Sequence, residues 1–187
     1  MSPLLRFEDV TVSRGGRVLF ESLNLQVAPG ETLQIAGPNG SGKSSLLRVA
    51  ACLLRHERGT VARSPLSLAD DNLALDRELP LGRALRFWAN PVGEALEALG
   101  LAGLAEIPVR LLSSGQAKRA TLARVAASGT PLWLLDEPLN GLDAEGGDRL
   151  ERLVRAHLAT GGAVVVASHQ ALPGKWQRLE LGQEQGS

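Results

Sequence analysis

The sequence predicts an α/β fold built on a mostly parallel sheet, and three observations carry that expectation. Pro131 to Glu137, up to the two acids that end it, and Ala163 to Ser168 are apolar without alternation, as strands are when both faces of their sheet are covered. The stretches between strands return to helical spacing, and strands joined by helices run parallel. With 187 residues, 44% of them hydrophobic and 21% charged, the chain has the size and composition of a single folded domain, residues 1–187.

Each element has its own signal. Residues 4–36 alternate as strands: Leu5, Phe7, Val10 and Val12, then Leu19 to Val27, then Glu31 to Ala36, punctuated by Gly15-Gly16 and Pro29-Gly30. Ser44 to Leu54 reads as a continuous helix, and Cys52 within it as a small buried core residue that has no disulfide partner in the chain. Residues 59–80 are weakly patterned and predict a short strand or two and a loop. In 81–101, Leu81, Ala84, Leu85 and Trp88 share one helical face, and Val92, Ala95, Leu96 and Leu99 another. Ala117 to Ser128 is a further helix, opened by Ser113 or Ser114 as a cap. Asp143 caps a helix whose Leu150, Leu153, Val154 and Leu158 share a face, and Gly161-Gly162 stops it. His56 and His157 read as surface residues.

A formal net charge of +0 gives no global field toward nucleic acid or an anionic bilayer, so no nucleic-acid partner is expected. The longest apolar runs fall far short of a membrane span. The opening residues, acidic by Glu8, do not read as a signal peptide. The expectation is a cytoplasmic chain that meets a membrane only through partners.

The chemistry begins at Gly37-Pro38-Asn39-Gly40-Ser41-Gly42-Lys43-Ser44, a complete phosphate-binding loop between an apolar strand and a helix. Successive backbone N–H groups must converge on one anion, which requires glycines, and the helix N-terminus adds its dipole. Lys43 is placed to reach the β- and γ-phosphates, Ser44 to ligate Mg²⁺, and Ser45 to follow them into the nucleotide site. The strand ending in Asp136 and Glu137 delivers carboxylates where open α/β sheets bind ligands. Asp136 is assigned to Mg²⁺, directly or through water, and Glu137 to polarising the attacking water.

Together these motifs indicate a P-loop NTPase, and Leu112-Ser113-Ser114-Gly115-Gln116 narrows it. This run resembles the signature of ABC ATPases, with Ser114 where that family usually has Gly. Asn140-Gly141-Leu142-Asp143 resembles the family's D-loop, and His169 after the next strand its switch histidine. The resemblance spans essentially the whole chain. It implies an ABC-type nucleotide-binding domain, with an N-terminal antiparallel β subdomain and a short helical subdomain inserted at roughly 79–128. It also implies ATP and Mg²⁺ as ligands and Lys43, Glu137 and His169 as catalytic residues. Ser113, Ser114, Gly115 and Gln116 would face the ATP of a second copy in a homodimer. Integral-membrane permease subunits would hold the dimer on the cytoplasmic face of the inner membrane.

Two positions depart from that pattern. Where relatives carry an aromatic that stacks on adenine, this chain has Arg14, whose guanidinium plane can also stack on a base. No Gln occurs between Gln34 and Gln116, so the usual coupling glutamine is missing; Asn72 is the first choice as its stand-in and Asp71 the second. Several stretches are similar to the haem exporter ATP-binding subunits of cytochrome c biogenesis, the CcmA family. They are Arg14 through Leu23 with its Leu19-Phe20, Leu99 to Leu104 leading to Ile107-Pro108-Val109, Leu132 to Pro138, and Ser168-His169-Gln170. The alternatives are a subunit of another small ABC exporter and a non-transport ABC ATPase acting on DNA or ribosomes. A face of Leu81, Leu85 and Trp88 is divided in this reading between core packing and a permease dock.

Overall fold

A computed structural model describes residues 2–88, 92–170, 172 and 174–182. Five strands form a wholly parallel sheet: β3 (Thr32–Ala36), β5 (Leu66–Ala69), β6 (Leu132–Asp136), β7 (Ala163–Ala167) and β8 (Gln177–Glu180), in the spatial order β5-β6-β7-β3-β8. Three more, β1 (Leu5–Arg14), β2 (Arg17–Val27) and β4 (Arg58–Arg63), make an antiparallel sheet in the order β2-β1-β4. The helices are α1 (Lys43–Ala50), α2 (Leu81–Arg86), α3 (Gly93–Ala98), α4 (Ser114–Ala127) and α5 (Ala144–Ala159). The segment 59–80 holds most of β4 and all of β5, the short strands expected there.

The all-apolar strands behave as their composition requires. Along β6, Leu132 and Leu134 point into a core shared with β1, β3 and α1, while Trp133 and Leu135 point into a second core shared with α2 to α5. Strand β7 divides the same way, with Val164 and Val166 on the second side and Ala163, Val165 and Ala167 on the first. Successive side chains leave opposite faces of a strand, so both faces of a doubly covered sheet favour apolar residues, and a polar one such as Gln34 is buried with a hydrogen bond, here to the Gln170 carbonyl at 2.7 Å. Each such valine or leucine contributes about 1.5–3 kcal/mol on burial. The face of Val92, Ala95, Leu96 and Leu99 is buried as its spacing predicted.

Four sequence expectations are corrected. The first helix ends at Ala50 rather than Leu54, because Cys52 takes a left-handed φ of 57°. Cys52 N–H then bonds the Val49 carbonyl (3.0 Å) and Leu53 N–H the Arg48 carbonyl (2.8 Å), a Schellman stop built without glycine. Cys52 is therefore an exposed turn residue, accepting from Arg63 Nε at 3.4 Å, not a core residue. Helix α4 starts at Ser114, three residues early, because Ser113 and Gln116 form a capping box.

His157 is no surface residue. Its ring stacks on Trp133 with centroids 3.7 Å apart, and Nε2 bonds the Pro131 carbonyl at 3.2 Å. A Cβ on Gly162 would lie 2.2 Å from that nitrogen, so this glycine admits the imidazole while Gly161, at a φ of 84°, stops α5. On α2, Leu81 and Leu85 are fully buried and belong to the core alone, while Phe87 and Trp88 remain exposed.

Candidate nucleotide site

Four neighbouring parallel strands end on the same edge of the sheet, and each hands a functional segment to it. From β3 comes the loop 37–42, from β6 Asp136 and Glu137, from β7 Ser168 and His169, and from β5 Asp70 and Asp71. Sequence-distant residues meet because parallel strands all present their C-terminal ends together.

The loop curls tightly enough that Gly37 has a φ of 140°, and a Cβ there would lie 2.4 Å from the Leu181 carbonyl oxygen. Lys43, almost fully buried, donates from Nζ to the carbonyls of Gly37 (2.9 Å) and Pro38 (3.0 Å), which holds the ammonium inside the ring of the loop. The cleft above the loop is lined by Arg14, Leu19, Asn39, Gly40, Gly42, Lys43, Ser44, Ser45 and Glu137. Eight of these lining positions lie on the first hairpin, the loop and α1, and Glu137 reaches in from β6.

Burial pushes the Asp136 carboxyl above the usual range; a hydrogen bond from Ser44 opposes this, Asp71 and Glu137 add to it, and Lys118 opposes it. Its Oδ1 is buried and has no hydrogen-bond partner among the described residues. A desolvated carboxylate oxygen beside a serine hydroxyl is a hard oxygen donor set of the kind Mg²⁺ takes, so these two residues fit the ion.

Glu137 carries a φ of 43°, rare for a residue with a side chain. His169 Nδ1 donates to its carboxylate with both oxygens at 3.0 Å. The turn of backbone and the imidazole together aim one carboxylate over the phosphate loop. Such outlying backbone costs about 1–3 kcal/mol and persists where surrounding contacts enforce it.

The signature residues lie elsewhere. Ser113 and Ser114 are exposed, and none of residues 113–116 lines the cleft of its own chain. Gly115 sits against the Gly141 carbonyl, where a Cβ would lie at 3.1 Å, so the signature and the 140–143 turn are packed together. Asp143 is occupied as the cap of α5, accepting from Gly146 N at 2.8 Å.

Asn72 is exposed and its amide makes no hydrogen bond among the described residues; its backbone N–H bonds Asp70 Oδ1 at 3.0 Å. The carboxylate of Asp71, like that of Glu137, acts on both Asp136 and Lys118. Lys118 itself was missed by the sequence reading. The available signal was that an arginine-rich chain uses lysine only at 43, 118 and 175.

A sequence profile described as ABC transporter matches residues 20–140. The cytochrome c biogenesis ATP-binding export protein CcmA of Novosphingobium aromaticivorans is 55% identical over 167 residues, 88% of this chain and 87% of its own. The protein of the same name from Sphingopyxis alaskensis is 48% identical over 180 residues, 92% and 93% of the two chains. Among solved structures, an ABC transporter ATP-binding protein from Pyrococcus furiosus superposes with a TM-score of 0.82 over 95% of this chain and 96% of that one. At 20% identity, that likeness speaks for the fold alone.

Proposed function

The chain belongs to the ABC transporter family, as an ATP-binding protein of the CcmA type, and we propose that it hydrolyses ATP to power haem handling in c-type cytochrome biogenesis. The observation that carries the hydrolytic part is the Glu137–His169 contact at 3.0 Å beside a complete phosphate loop.

The chain's own residues divide the work. Backbone N–H groups within 39–43 and the α1 dipole receive the phosphates, and Lys43 exchanges its loop carbonyls for phosphate oxygens. The guanidinium of Arg14 offers a plane to the base. Ser44 and Asp136 would hold Mg²⁺, which when bound neutralises charge on the β- and γ-phosphate oxygens. Glu137 orients and polarises the attacking water, and His169 keeps that carboxylate aimed.

The exposed signature, absent from its own cleft, supports a head-to-tail homodimer in which Ser113 to Gln116 close the partner's site. The N-terminus of α4 is a second anion site of the same physical kind. Among the described residues no helix is long and apolar enough to cross a membrane, so permease subunits would supply the membrane contact. Phe87 and Trp88, exposed with rings edge to face at 5.3 Å, are the surface we assign to that contact.

Glu137→Gln in the chain assembled with its permease should keep ATP affinity within a few-fold and lose about 10²–10⁴ in turnover. In cells the same allele should leave c-type cytochromes without covalent haem while b-type cytochromes stay loaded. Normal c-type maturation would sink the haem assignment, and wild-type turnover would remove Glu137 from its role.

A further inference from the structure

We propose that Lys118 is a positioning residue for hydrolysis, clamping the Asp136–Glu137 peptide so that the Glu137 carboxylate points at the reacting phosphate. This rests on the ATPase reading above and assigns that reaction a further residue.

Lys118 lies one helical turn after Ser114, on the side of α4 that faces β6. Its Nζ donates to the Asp136 carbonyl at 3.2 Å. The N–H of the same peptide unit, belonging to Glu137, donates to the Ala167 carbonyl at 2.8 Å. One peptide plane is thus held at both edges, by β7 on one side and by the α4 ammonium on the other. The next dihedral along the chain is the Glu137 φ of 43°. A peptide free to rotate would let Glu137 relax into an ordinary conformation, and its carboxylate would leave the cleft.

The surroundings explain why the clamp is an amine. Burial lowers the Lys118 pKa, and Asp71, Asp136, Glu137 and Asp70 pull it back up. Those acids come from the ends of β5 and β6, so the Lys118 cation answers like charges that converge there. A half-buried ammonium keeps its place where charges and hydrogen bonds compensate its desolvation. Farther along α4, Arg124 donates to the Leu68 carbonyl of β5 at 2.5 Å and lies near Asp70. Because α4 begins at the signature, the clamp also links the residues meant for a second ATP to the base acting on the first.

The test uses the chain assembled with its permease, in four forms: wild type, Lys118→Met, Lys118→Arg and Glu137→Gln. Methionine keeps the stem and removes donor and charge; arginine keeps both. Lys118→Met should lose about tenfold or more in kcat, with KM for ATP and nucleotide affinity within about threefold. Lys118→Arg should hold kcat within about threefold of wild type, and both should melt within a few degrees of it. Full turnover in Lys118→Met would overturn the clamp. So would a loss carried by KM, or an arginine variant that folds normally and is as slow as the methionine one. Glu137→Gln separates the two levels: if it too turns over normally, the base assignment has failed, and not the clamp alone.

Discussion

Removing the His169 ring, by His169→Ala, isolates what aiming the base is worth. The imidazole donates to the Glu137 carboxylate with both oxygens at 3.0 Å, and the carboxylate is only 21% exposed. A hydrogen bond to a charged group contributes about 1.5–3 kcal/mol. If that energy holds the carboxylate in the geometry the transition state needs, its loss raises the barrier by a similar amount. At about 1.4 kcal/mol per decade, turnover should fall roughly ten- to hundredfold. The loss should stay below that of Glu137→Gln, because the carboxylate is still present to be visited by water. It should also vanish in combination: His169→Ala added to Glu137→Gln should cost little more, since both changes act through one group. Phosphate release by the assembled complex at saturating ATP, read in single turnovers for the slow variants, measures all four forms. Unchanged turnover in His169→Ala would refute the argument, and so would a tenfold further loss on the Glu137→Gln background.

Two further outcomes follow from the fold. Gly37→Ala would set a methyl 2.4 Å from the Leu181 carbonyl oxygen at a φ of 140°, so the loop must open, and ATP affinity should fall by about tenfold or more in direct nucleotide titration; affinity within twofold of wild type would contradict the close approach. Burial holds the His157 pKa below its ordinary 6.5, against hydrogen bonds to the Pro131 and Ala163 carbonyls. The unfolded chain then binds the extra proton first, so this contribution to stability is complete above about pH 6.5 and is lost as pH falls through that value. Melting curves from pH 8 to 5 should show a flatter acid slope for His157→Gln than for wild type, and equal slopes would place the titration elsewhere.

The contiguous parts of this protein were legible because local physics specifies them. A phosphate loop needs its glycines in one run of chain, and a doubly covered strand favours apolar residues on both faces, so 37–44, 132–135 and 163–167 carried their meaning without a structure. A cap at Ser113 or Ser114 and another at Asp143 were readable for the same reason, since a cap acts within three residues of itself. What depended on distant partners was not readable. Cys52 looked like helix interior because no glycine marked the stop, and only the left-handed turn at that residue reveals an exposed thiol. His157 looked solvent-facing because its partner Trp133 lies on another element and Gly162 makes room for the ring. Residue type alone could not decide between Asn72 and Asp71, because the charges that act on Asp136 come from Asp71, Glu137 and Lys118, which lie far apart in sequence. Lys118 shows the limit most plainly. Its acceptor is 18 positions away, on a strand whose place beside α4 is decided by packing over the whole sheet, and a hydrogen bond across that distance leaves no pattern in either segment.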